Sequence, residues 1–194
     1  IFGAGSRVLF IEFHQIKIFP LPTQDDLPSE DNETMETGRH KAQMELLIHS
    51  LRPWLDKQNG GYVNGNMFVY FSAKQLKNED FRGPDVFVVL GVSNQERKSW
   101  VVWEEGGFVP DVIIELLSDK TKKGDKIDKK DVYQDRLKAP EYFWFDPFNV
   151  KDWAGFTLQN GIYQPIAPDR QERLLSQRLG LALVRWYGVH DDIK

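Results

Sequence analysis

Two Pro-Asp pairs, Pro84-Asp85 and Pro110-Asp111, each head an apolar run, Val86–Leu90 and Val112–Leu117, and the second run carries Glu115 inside it. Proline fixes its own backbone angle and pushes its predecessor into an extended conformation, so each aspartate is held rigidly at a sheet edge. A glutamate in an otherwise apolar run needs a partner, because a lone buried carboxylate is costly to desolvate. Asp111 and Glu115 are four apart, so on one strand their side chains leave the same face. Asp85 heads a second strand that can lie alongside. Either Pro-Asp pair alone is a common turn, and Glu115 alone could face solvent or an arginine. Together they predict three carboxylates, Asp85, Asp111 and Glu115, converging where only a cation relieves their repulsion. Such hard oxygen ligands suit Mg²⁺, with Mn²⁺ as an alternative. Lys129, further along in a charged stretch, can bring an ammonium to the same cluster.

The elements that must position these residues are legible as patterns. Met44, Leu47, Ile48, Leu51 and Leu55 recur at three and four, predicting an amphipathic helix over 39–55 that Pro53 bends or ends. Arg7–Phe19, Tyr62–Ser72, Ser99–Glu104 and Tyr142–Phe145 read as further strands. The continuous apolar runs after Asp85 and Asp111 are typical of strands buried on both faces. The charged stretch Asp119–Asp135 reads as a loop entering a helix, with Ile127, Val132 and Tyr133 facing inward. Short strands around Gly161 and a last one over Leu179–Trp186 complete the chain. The order implies an α/β or α+β domain with a mixed central sheet flanked by helices. A single domain over 1–194 is expected, with 1–34 as a strand and loop lead-in and 35–194 as the core.

The run Pro110-Asp111-Val112-Ile113-Ile114-Glu115-Leu116-Leu117-Ser118 resembles the bacterial Uma family of restriction endonucleases. So do Asp125 with Lys129 and Tyr133, and Pro140-Glu141-Tyr142-Phe143-Trp144-Phe145-Asp146-Pro147. Gly83-Pro84-Asp85 and His40 at a helix start fit the same family, and the likeness spans roughly Leu27 to Trp186. The resemblance implies the PD-(D/E)xK, restriction-endonuclease-like nuclease fold and metal-assisted hydrolysis of DNA phosphodiester bonds. On that pattern Asp85 matches the first acid and Glu115 the second, with Asp111 as a further ligand. The lysine's usual place, two after the second acid, holds Leu117, and the resemblance passes its role to Lys129. It also implies an acid from the first helix, for which Glu36 and Glu45 are both candidates.

Composition sets the outer limits. With 41% hydrophobic and 28% charged residues, and 13 Phe, 6 Trp and 6 Tyr in 194 residues, a sizeable core can form. The absence of cysteine excludes disulfides, thiolate zinc sites and cysteine nucleophiles. A net charge of -4 argues against a protein that merely coats DNA. No apolar run reaches the ~20 residues of a membrane helix. The opening stretch lacks a signal-peptide plan, so a soluble, cytoplasmic protein is expected. The lysines at 120, 122, 123, 126, 129 and 130 usually make a solvated helix face. Where Lys129 reaches a metal, however, its neighbours stand where a DNA backbone passes. The rival to a nuclease is a catalytically quiet nuclease-fold domain acting as a binding or assembly module. Trp153, Phe156, Trp186 and Tyr187 suggest a homodimer, because aromatics concentrate at interface centres.

Overall fold

The predicted apolar stripe forms α1 (Gly38–Leu55). Its N-cap is Thr37, whose hydroxyl oxygen accepts the backbone N–H of His40 at 3.2 Å. That bond satisfies one free donor of the first turn and fixes the start of the helix at the histidine. Ile48, Leu51 and Leu55 are buried, and the helix ends at Leu55, just beyond Pro53. The computed structural model describes residues 21–28, 37–72, 81–118 and 124–189. The expected strand Arg7–Phe19, Glu36, and the lysines at 120, 122 and 123 lie outside them.

The expected single strand Tyr62–Ser72 is two, β1 (Gly61–Asn64) and β2 (Val69–Tyr70), which belong to different sheets. The chain turns between them at Gly65 and Asn66, the latter at φ 49°. Next come β3 (Phe81–Arg82), β4 (Val86–Leu90), β5 (Trp100–Val101) and β6 (Val112–Leu116). Of the predicted strand Ser99–Glu104, only Trp100 and Val101 are extended; turns follow up to the positive-φ pair Gly106-Gly107. The second helix, α2, covers 125–137 in three pieces, Asp125–Lys129 and Tyr133–Leu137 with π-helical turns and Lys130–Val132 with an α-helical one. The chain ends with β7 (Glu141–Phe145), β8 (Trp153–Gln159), β9 (Ile162–Pro165), β10 (Leu174–Ser176) and β11 (Leu181–Leu183). The last predicted strand, Leu179–Trp186, is thus a three-residue edge of a separate hairpin.

The main sheet has the order β1-β4-β6-β7-β8-β9, with β6 and β7 parallel and the other pairs antiparallel. Parallel neighbours need a crossover, which α2 supplies. Every residue of β6 is buried, because the sheet is covered on both faces. Val86, Val88, Val112 and Ile114 pack under α1. Phe87, Val89, Ile113 and Tyr142 pack on the opposite face with Tyr133 and Leu137 of α2. Val132 is partly buried, but Ile127, expected to face inward, is half exposed. The result is a mixed α/β fold of helix, sheet and helix layers.

Candidate metal centre

The antiparallel register of β4 and β6 pairs Val86 with Ile114. One step further places Asp85 opposite Glu115. The Asp85 carboxylate is held on both oxygens, Oδ1 by His40 Nε2 at 3.0 Å and Oδ2 by the Leu116 backbone N–H at 2.7 Å. Burial opposes its ionisation. The hydrogen bond from His40, the charges of Lys129 and His40, and a hydrogen bond with the Glu115 carboxyl outweigh that effect, and the Asp85 pKa falls below its usual value.

Glu115 is fully buried, and α2 supplies the partners it needs. Tyr133 donates its hydroxyl to Oε1 at 2.6 Å, and Lys129 Nζ donates to Oε2 at 2.9 Å. Tyr133 and Lys129 are four apart and so share one helix face. Burial above all, then the charge of Glu115 and the hydrogen bond to it, hold the Tyr133 phenol well above its ordinary pKa. It therefore remains a donor. The Lys129 side chain is 26% exposed and that of Asp85 21%, so these two form the mouth and Glu115 the floor.

The expected three-carboxylate convergence does not occur. Asp111 lies at the other end of β6, because four residues along a strand span about 13 Å even on a shared face. There its Oδ2 accepts the Leu90 N–H at 2.8 Å, and its Oδ1 accepts two N–H groups of Arg178. Beside it, buried Glu141 accepts the Ser176 hydroxyl and the backbone N–H groups of Gln177 and Arg178. These carboxylates latch the β10–β11 hairpin to the sheet. From the first helix, His40 is the group at Asp85, whereas Glu45 pairs with Lys41 at 3.6 Å. In the sequence His40 stands out only through the family likeness, and Tyr133 through that likeness and as an inward-facing helix residue; the N-cap threonine before His40 and the Lys129–Tyr133 spacing of four were the available signals of their roles. Of the aromatics expected at an interface, Phe156 is buried beside Tyr142 and Trp144, while Trp186 and Tyr187 are 61% and 79% exposed.

Two adjoining carboxylates with a lysine at their mouth fit a hard divalent cation. Among the described residues no group of three or more His, Asp or Glu stands at ligand spacing. A cation here would take Asp85 and Glu115 and complete its shell with water and substrate oxygens, the habit of Mg²⁺.

A mixed central sheet between two helices is the architecture of a restriction-endonuclease-like fold. The chain matches the family model "Uma2: Putative restriction endonuclease" over residues 27–187, and it belongs to that family. It is similar to a solved structure from Anabaena variabilis, described as a "putative nuclease belonging to DUF820", with a TM-score of 0.58 and 15% identity over 83% of this chain and 93% of that one. At that identity the likeness speaks for the fold. No curated protein matches the chain significantly. No helix among the described residues is long and apolar enough to cross a membrane.

Proposed function

We propose that this protein is a metal-dependent endonuclease that hydrolyses phosphodiester bonds of DNA, with Mg²⁺, or Mn²⁺ in its place, held by Asp85 and Glu115. The observation that carries the reading is the pair of carboxyls facing each other across β4 and β6, with Lys129 bonded to the inner one. When bound, a divalent cation supplies charge neutralisation at the scissile phosphate and a water of lowered pKa. His40 and the Leu116 N–H hold Asp85 in one orientation, so its oxygens need no reorganisation when substrate arrives. Lys129 brings an ammonium to the mouth, where it offsets the negative charge that develops on the phosphate. Its place on α2 substitutes for the position two beyond Glu115, just after β6, where Leu117 is wholly buried and apolar.

Asp111 has no part in this reading, since Arg178 and the Leu90 N–H already engage it away from the pocket. Plasmid nicking tests the proposal. Supercoiled DNA is expected to open in Mg²⁺ or Mn²⁺, to stay closed in EDTA, and to stay closed with Glu115→Ala in either metal. A purified, folded chain that binds Mn²⁺ and DNA without nicking would instead support the quiet binding module.

A further inference from the structure

We infer that Tyr133 is a positioning residue that selects which oxygen of Glu115 faces the cation. This inference rests on the proposed function and deepens it. A carboxylate has two chemically equal oxygens, and a glutamate has enough torsional freedom to exchange them. Here the two are made unequal. Oε1 takes the hydroxyl of Tyr133, a residue with no exposed surface and its ring 5.4 Å from that of Tyr142. Oε2 takes the ammonium of Lys129, whose side chain is a quarter exposed. The first oxygen is therefore anchored toward the core, and the second toward the mouth where Lys129 reaches solvent.

The anchor is rigid at both ends. Tyr133 is packed among Ile113, Leu137, Ala139 and Tyr142 in the apolar layer under α2. Glu115 sits in the central strand, paired in register with Trp144 of β7. A neutral hydroxyl is suited to this task, because it fixes the carboxylate without competing with a cation for its charge. Lys129 cannot do the same: its ammonium stands on the oxygen that a cation would take, and its partly exposed side chain would turn to the phosphate when the cation binds. The helix thus divides two duties between residues four apart: one fixes the ligand, and the other serves the phosphate.

Partners of metal ligands typically matter 10–100-fold in metal affinity. Calorimetric titration of the full chain with Mn²⁺ alone, without DNA, measures that effect directly. Tyr133→Phe keeps the ring and its packing and removes only the oxygen. It is expected to weaken Mn²⁺ binding by about 10-fold or more, in line with that range. Nicking by the same variant is expected to require correspondingly more Mn²⁺, with the rate at saturating metal largely retained. Tyr163→Phe is the control, because its hydroxyl bonds the Ala139 carbonyl at 2.8 Å in the same core but touches neither acid. It is expected to lower the thermal midpoint while leaving the Mn²⁺ affinity unchanged. Wild-type affinity in Tyr133→Phe overturns the inference and leaves the nuclease reading intact, as does an equal loss in both variants, which marks general softening of the core. Absence of Mn²⁺ binding by the wild-type chain removes both.

Discussion

At the scale of single residues, the three acids that look alike in the sequence have different surroundings. Asp85 and Glu115 face each other across β4 and β6, with Lys129 bonded to Glu115 at the pocket mouth. Asp111 is bound to an arginine and a backbone N–H at the other end of its strand. Replacing one partner of a largely buried hydrogen-bonded pair costs about 1–3 kcal/mol, through the groups left unsatisfied. Asp111→Ala is therefore expected to lower the thermal midpoint by several degrees, at roughly 2–4 °C per kcal/mol for a chain of this size. Its nicking rate below that midpoint is expected to match the wild type within about threefold, the small change typical of a residue outside the reacting groups. Thermal melts and nicking assays on one preparation check both halves, and loss of metal binding in Asp111→Ala would return it to the ligand set.

At the scale of elements, the turn between β1 and β2 governs where Asp85 stands. A Cβ at Gly65 would lie 2.1 Å from the Asp85 carbonyl oxygen and 3.0 Å from Met44 Sδ of α1. No side chain fits there, and the neighbour that must yield is backbone. Asn66 then donates its N–H to the Pro84 carbonyl at 3.1 Å, tying the same turn to the proline before the acid. Gly65→Ala is expected to push β4 outward at its start and to separate Asp85 from His40. A displacement near 1 Å at a reacting centre costs on the order of 10²-fold in rate. Overpacking of this kind costs about 1–3 kcal/mol, so the variant should still fold. Nicking rates with the fold monitored by circular dichroism decide it: a variant with wild-type rate would mean the turn does not hold the site.

At the scale of the whole molecule, the helix-sheet-helix layers bury tyrosines on the α2 side of the sheet together with their hydroxyls. Burial raises the pKa of Tyr62, Tyr133 and Tyr163 above the ordinary phenol value, since the phenolate is the form that loses solvation. For a group whose folded pKa is raised, the contribution to stability is complete below the unfolded pKa near 10 and is lost as pH rises through the folded value. The protein is thus expected to be insensitive to these groups at neutral pH and to unfold cooperatively in strong alkali. Phenolate absorbance of the buried tyrosines should then appear together with the loss of secondary structure. Their full titration at a lower pH than that loss would show that water already reaches the core.

Much of this was legible in local patterns. The stripe of α1, the buried strands β4 and β6, the rigid acids after Pro84 and Pro110, and the need of Glu115 for a partner all follow from spacing within a few residues. The family likeness added Lys129 as the candidate partner of these acids. Sequence could not decide whether Asp85 stands beside Glu115 or beside Asp111, because that depends on the direction in which β4 runs beside β6. A parallel arrangement would set the two aspartates side by side. The antiparallel pairing of Val86 with Ile114 instead carries Asp85 to the far end of β6, leaving Asp111 to Arg178. Strand direction is settled by contacts far apart in the chain and by the α2 crossover between β6 and β7, and no periodicity within either run records it. The same nonlocal packing brings His40 to Asp85 and Tyr133 to Glu115, so the identity of the acids was written in the sequence and their company was chosen by the fold.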